Sequence, residues 1–200
     1  MTTRRFASDR LLAFGDAVVA IAVTLLSLPL VELVPDDGSG TVTPRQVITD
    51  NLVPIGSFLL TFFVIWRIWW VHHELFSRVS TLDPLVMRFN VLWLLSILVL
   101  PFPAQMVAVY GDEPLVLALY VGVLLISSLS LVAMALGLRR LGHRDVGVGG
   151  TFVRGLVGNC ACLAIAFGVV LVVPSAGYWP LLLLLLDGPI LAAARRLRGP

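Results

Sequence analysis

The sequence predicts an all-α integral membrane protein with six transmembrane helices, and three observations lead there. Hydrophobic residues make up 58% of the 200-residue chain and charged residues only 13%. A soluble domain carries about 25% charged residues, so roughly half the usual charge is present and a water-soluble fold could not hide the apolar surface. The mean hydropathy is +0.98. The apolar residues also gather into runs of bilayer length, since a spanning helix needs about 20 of them. Six such runs stand at 11–31, 52–75, 86–109, 114–138, 152–173 and 178–194, read as a single domain over residues 1–200.

The breaks between the runs are turn and cap signals. Pro35-Asp-Asp-Gly-Ser-Gly40 closes the first run, and the stretch from Glu32 to Asn51 is expected to give part of its length to the second helix. Ser80-Thr-Leu-Asp-Pro84 reads as a helix cap followed by a new helix. Gly111-Asp-Glu-Pro114 places a proline at a helix start. Gly142 to Gly150 is a glycine-rich link, and Pro174-Ser-Ala-Gly177 a short turn before the last run.

The first run has charged residues before it and no small-residue cleavage site ahead of the acidic loop, so it is expected to stay as a membrane helix. Arginine placement then orients the chain. The N-terminus, the second and fourth loops and the C-terminus hold Arg4, Arg5, Arg10, Arg78, Arg88, Arg139, Arg140, Arg144, Arg154, Arg195, Arg196 and Arg198. The opposite side holds Arg45 beside Glu32, Asp36, Asp37, Asp50, Asp112 and Glu113. The positive-inside rule puts both termini in the cytoplasm, and an even number of spans agrees. The acidic outer loops would also concentrate cations locally.

Function classes narrow from the same residues. There is no phosphate-binding loop and no nucleophile-base-orienter set, so an enzyme is not expected, nor are a nucleic-acid partner or a small-molecule substrate. Cys160 and Cys162 project about 200° apart on a helix and are expected to be small buried hydrophobes. His72, His73 and Glu74 are adjacent, and neighbours about 100° apart do not share one ion easily. Zinc and iron sites favour i, i+3 or i, i+4 pairs. No metal or cofactor is therefore expected.

Three polar groupings interrupt the apolar runs: Arg10 with Asp16, Trp66-Arg67-Ile-Trp69-Trp70-Val-His72-His73-Glu74, and Asn90 followed by Pro101-Phe102-Pro103. Ionisable groups inside a span are costly and call for partners. By the orientation above, Asp16, His72, His73 and Asn90 fall toward the cytoplasmic side, where one hydrogen-bonded cluster would satisfy them. The tryptophans at 66, 69 and 70 fit packing around the histidines or an interfacial belt.

On the first helix, Ile21, Leu25, Leu28 and Glu32 fall within about 60° of one another, with Thr24 at the edge of the stripe. Such a face is either a packing surface or the wall of an ion path. As a wall, its isoleucine and leucine rings would gate by dewetting and steric closure.

These residues resemble a known family. Arg10-x-x-x-Phe14-x-Asp16, followed by Ala20-Ile21-Ala22-x-Thr24-Leu25-Leu26-x-Leu28, is similar to the Arg-x-x-x-Phe-Ser-Asp signature that opens the transmembrane protein 175 potassium channels. His72-His73 after tryptophans, and Asn90 leading to Pro101-Phe102-Pro103, fit the same pattern. The resemblance covers about the first 110 residues. Gly15 stands where the family usually has serine, so a hydroxyl is missing from the polar cluster.

What the resemblance implies is a single-repeat, prokaryotic type of member in the plasma membrane. It implies a homotetramer whose first helices line a central pore, and a fold unlike that of ordinary potassium channels, without the Thr-Val-Gly-Tyr-Gly filter loop. It puts the constriction and selectivity at Ile21, Thr24, Leu25 and Leu28, with Glu32 at the outer mouth and K+ as permeant ion. It makes Arg10, Phe14, Asp16, His72, His73 and Asn90 a structural polar cluster. The competing reading is a proton-coupled secondary transporter, or a proton-permeable channel, that uses the Asp/His cluster. Transporters usually show internal repeats and broken mid-membrane helices, and no halves of this chain resemble each other.

Overall fold

The computed structural model describes residues 2–35, 42–76, 83–111, 113–141 and 150–172, and the expected sixth span at 178–194 lies outside them. All regular structure among the described residues is helical: α1 (Thr2–Val31), α2 (Pro44–Thr49), α3 (Leu52–Phe76), α4 (Pro84–Val99), α5 (Pro101–Tyr110), α6 (Pro114–Arg140) and α7 (Gly150–Val172). Five stretches are long and apolar enough to cross a membrane: Arg10–Val31, Leu52–Phe76, Pro84–Tyr110, Pro114–Arg140 and Phe152–Val169. They coincide with the first five runs of the sequence.

Local chemistry sets the ends. Asp83 caps α4, its carboxylate accepting from the Leu85 amide at 3.0 Å, with Pro84 in the first turn. Pro114 opens α6, where the absent amide costs nothing. After α5 the chain turns at Gly111, whose φ of 60° favours a residue without Cβ.

Two elements differ from the sequence expectation. The segment before the second span does not extend α3. It forms the separate helix α2, because Thr43 and Gln46 make a reciprocal capping box and Pro44 starts the turn. The third span is not one uninterrupted helix. It divides at Leu100 into α4 and α5, because Pro101 and Pro103 have no amides to offer the carbonyls of Ile97 and Val99. The chain nevertheless continues across the break: Leu100 keeps helical dihedrals and its carbonyl accepts from Ala104 at 3.1 Å.

The core forms around α6, which packs chiefly against α4 and α7, while α1 lies against α3 and α4. Ile65, Trp93, Ile97, Tyr120, Leu124, Met134 and Leu138 are fully buried there. At one point the helices approach as closely as side chains allow: a Cβ added to Gly137 would stand 2.9 Å from Val86 Cγ2. Helix-to-helix hydrogen bonds supplement the apolar packing. The Thr61 and Tyr120 hydroxyls meet at 3.2 Å, and the Asn159 amide donates to Ser128 Oγ at 3.1 Å. In a bilayer, where apolar burial drives association weakly, close packing and such bonds hold helices together.

Candidate functional site

Helix α1 has two faces of different character. Gly15, Val19, Ala22 and Leu26, at spacings of three and four, are buried against the rest of the bundle. Arg10, Phe14, Ala17, Ile21, Thr24, Leu25, Leu28 and Glu32 recur at the same spacings on the other side, and every one is exposed. Phe14 is 60% exposed, Ile21 52%, Leu25 43% and Leu28 53%. Glu32 lies just past the last helical residue, its amide still reaching the Leu28 carbonyl at 3.4 Å. One chain therefore presents a continuous stripe, apolar between a basic end and an acidic end, that no helix among the described residues covers.

The polar atoms on this stripe are oriented by the helix itself. The Thr24 hydroxyl donates to the Ile21 carbonyl at 2.7 Å, and the Ser27 hydroxyl to the Thr24 carbonyl at 2.7 Å. With its proton committed, Thr24 Oγ1 turns only lone pairs outward, so toward the exposed side it is an acceptor.

The buried face of α1 is held by polar groups near the Arg10 end. The Trp69 indole donates to Asp16 Oδ1 at 2.7 Å, tying α3 to α1. The His72 ring bonds through Nε2 to Asn90 Oδ1 at 2.7 Å and stacks flat on Trp93, with ring centroids 3.8 Å apart and planes 4° from parallel. Phe76 closes the other side of His72 at 4.7 Å. His73 packs beside Trp69 with centroids 5.4 Å apart, and its Nδ1 is buried without a hydrogen-bond partner. A Cβ at Gly15 would sit 3.8 Å from His72 Cε1, so α1 rests directly on this group.

Of the six residues expected to cluster, the structure places Asp16, His72, His73 and Asn90 at this base: His72 bonds Asn90, while Asp16 bonds Trp69, beside which His73 packs. Arg10 and Phe14 do not join. Phe14 is about 200° from Asp16 around the helix, so when Asp16 faces α3, Phe14 must face away, on the exposed stripe. Trp69 packs beside a histidine, as the sequence suggested, but its bond to Asp16 was not foreseen, and Trp93 was missed altogether. Trp69 is the partner of Asp16, and Trp93 is the platform under His72. The only signal for Trp69 was its place among polar residues, and for Trp93 its position three residues past Asn90, one helical turn on.

A family model described as "Endosomal/lysosomal potassium channel TMEM175" matches residues 10–101, the segment that carries both the stripe and its base. A protein named as a potassium channel from Streptomyces collinus is 32% identical over 140 residues, 68% of this chain and 66% of that protein. The chain belongs to the TMEM175 family. The human relative, named as the endosomal/lysosomal proton channel TMEM175, is 28% identical over 115 residues, 56% of this chain and 22% of its own length. The chain thus spans just under two thirds of its Streptomyces relative and about a fifth of the human one. The solved structure of a lysosomal potassium-selective channel TMEM175 homolog from Chamaesiphon minutus matches with a TM-score of 0.76 at 21% identity, over 92% of this chain and 98% of that one. The two chains share a fold.

Proposed function

We propose that this TMEM175-family chain is one subunit of a homotetrameric potassium channel, a single six-helix domain in the plasma membrane with both termini cytoplasmic. The observation that carries the reading is the uncovered stripe of α1, from Arg10 through Ile21, Thr24, Leu25 and Leu28 to Glu32. Other lipid-facing helices also expose apolar residues, but α1 is the one that the family signature opens, and its other face is fixed by a hydrogen bond to Asp16. A single copy encloses no path. Several copies with α1 turned inward would enclose one, narrowed by Ile21, Leu25 and Leu28, with Thr24 Oγ1 as an oxygen acceptor at the narrow level and Glu32 at the outer mouth.

Conduction then needs no turnover chemistry. Apolar rings exclude water while the path is closed, and an open ring just wide enough for a partly dehydrated ion favours potassium, which gives up water more easily than sodium. The base formed by Asp16, Trp69, His72 and Asn90 sets the rotation of α1 and so which residues face the axis. Potassium is the only small species the reading requires.

A second reading, in which protons also pass, is favoured by one observation: the human relative is named a proton channel. Potassium flux from proteoliposomes with and without a pH gradient tests both. Potassium-selective flux that needs no proton gradient supports a channel. Flux that runs only when a proton gradient drives it would replace the channel reading with an exchanger.

A further inference from the structure

A cavity of about 180 Å3 lies between α3, α6 and α7. Among the described residues its walls are apolar except for Arg67 of α3, Ser128 of α6 and Asn159 of α7. The two neutral side chains serve each other, Asn159 Nδ2 donating to Ser128 Oγ at 3.1 Å. Arg67 brings the charge, and it differs in depth from the other arginines of these spans. Arg88 and Arg154 stand about one turn from the starts of α4 and α7, and Arg139 and Arg140 lie in the last turn of α6. Arg67 lies about two and a half turns inside α3, counted from Phe76. A cation so far within a span is costly and calls for an anion beside it. Asp16 is on the wrong side to serve. It bonds Trp69, which stands about 200° around α3 from Arg67.

The sequence holds a matching charge. The apolar run 178–194, outside the described residues, contains one charged residue, Asp187, which is the only acid after Asp145. The chain restricts where that run can go. Helix α7 ends at Val172, so a connection of about five residues returns the run antiparallel to α7, and it then crosses in the same direction as α3. Asp187 falls about two turns before residue 194, close to the depth of Arg67. We propose that this last apolar run docks along the groove between α3 and α7, with Asp187 paired to Arg67 inside the bilayer. A lipid chain or a second copy would match the apolar walls alone. The run also brings the opposite charge, at the right level and on a short tether. The pairing holds α3 on two opposite faces, to α1 through Trp69 and to the last span through Arg67. It extends the scaffold behind α1 and does not depend on what α1 lines.

Two measurements on the full chain test it. Arg67→Asp and Asp187→Arg should each lower the thermal midpoint of the detergent-solubilised protein by several degrees, and the exchange of both should regain most of that loss. In protein carrying Cys160→Ala and Cys162→Ala, a short methanethiosulfonate cross-linker should join Arg67→Cys to Asp187→Cys within one chain. Cleavage at a protease site inserted between Gly142 and Gly150 then leaves the two pieces attached until the link is reduced. An exchange that restores nothing would overturn the pairing. Glu74 stands about two turns along the same face of α3. If Glu74→Gln, and not Asp187→Asn, abolishes the effect of Arg67→Gln, the partner is Glu74 and the pairing is overturned as well. Links between chains alone would put a second copy in the groove, and no link at all would leave it to lipid. Either result would overturn the docking.

Discussion

Trp69 donates its indole proton to Asp16 at 2.7 Å across 53 positions of sequence, and this bond joins α3 to α1, whose opposite face is exposed among the described residues. The orientation of that exposed stripe follows from it: Asp16 turned toward α3 leaves Phe14, Ile21, Leu25 and Leu28 on the other side.

Removing either partner should loosen α1. A hydrogen bond to a charged group contributes about 1.5–3 kcal/mol, so Trp69→Phe should destabilise by about that much, with Asp16→Ala similar and Asp16→Asn milder, because the amide keeps an acceptor oxygen. The thermal midpoint of detergent-solubilised oligomer, followed by size-exclusion chromatography, reads the order. Equal midpoints for all three variants and wild type would show that the bond does not hold the helix.

The His72–Asn90 pair is buried among aromatic rings, and its removal should be asymmetric. Asn90→Ala leaves the imidazole nitrogen without a partner and should cost about 1–3 kcal/mol. His72→Phe together with Asn90→Leu removes both polar groups and keeps the stack on Trp93, so the double variant should be more stable than Asn90→Ala alone. Denaturation midpoints of the two would decide, and a double variant less stable than the single would contradict a structural role.

Gly137 has no room for a side chain, with Val86 Cγ2 only 2.9 Å from its would-be Cβ. Overpacking of this kind costs about 1–3 kcal/mol, so Gly137→Ala should lower the thermal midpoint, and adding Val86→Ala should recover part of the loss. No recovery in the pair would mean that the strain lies elsewhere.

Gly15 is the opposite case. Its nearest side-chain atoms stand 3.8 and 3.9 Å from an added Cβ, at ordinary contact distance. Gly15→Ala should therefore stabilise by about 0.5–1 kcal/mol through helix propensity, and Gly15→Ser should be accepted without loss of assembly. A lower midpoint for Gly15→Ala would show that α1 rests on His72 more tightly than these distances imply.

Much of this was legible in the residues because local physics decides it. Bilayer-length apolar runs marked five spans, and Asp83 with Pro84, and Pro114, marked two of their starts. The faces of α1 were legible as well, since spacing alone puts Ile21, Leu25 and Leu28 on one side. What sequence did not reveal depends on contacts between distant segments. No local pattern pairs Asp16 with Trp69 or stacks His72 on Trp93. Arg10 and Phe14, drawn into the polar cluster by resemblance, belong to the exposed face because helical rotation separates them from Asp16. The division at Leu100 was visible as two prolines, but whether they bend a span or end it depends on the carbonyls they leave and on the packing of α5 against α3 and α6.

The central claim is that the exposed stripe of α1 lines a potassium path, and the most direct test is the current through reconstituted Ile21→Asn protein beside wild type. A polar ring at that level should wet the constriction, raising the open-state current or the time spent open and lowering the preference for potassium over sodium. Unchanged current and unchanged selectivity in correctly assembled Ile21→Asn protein would contradict the account.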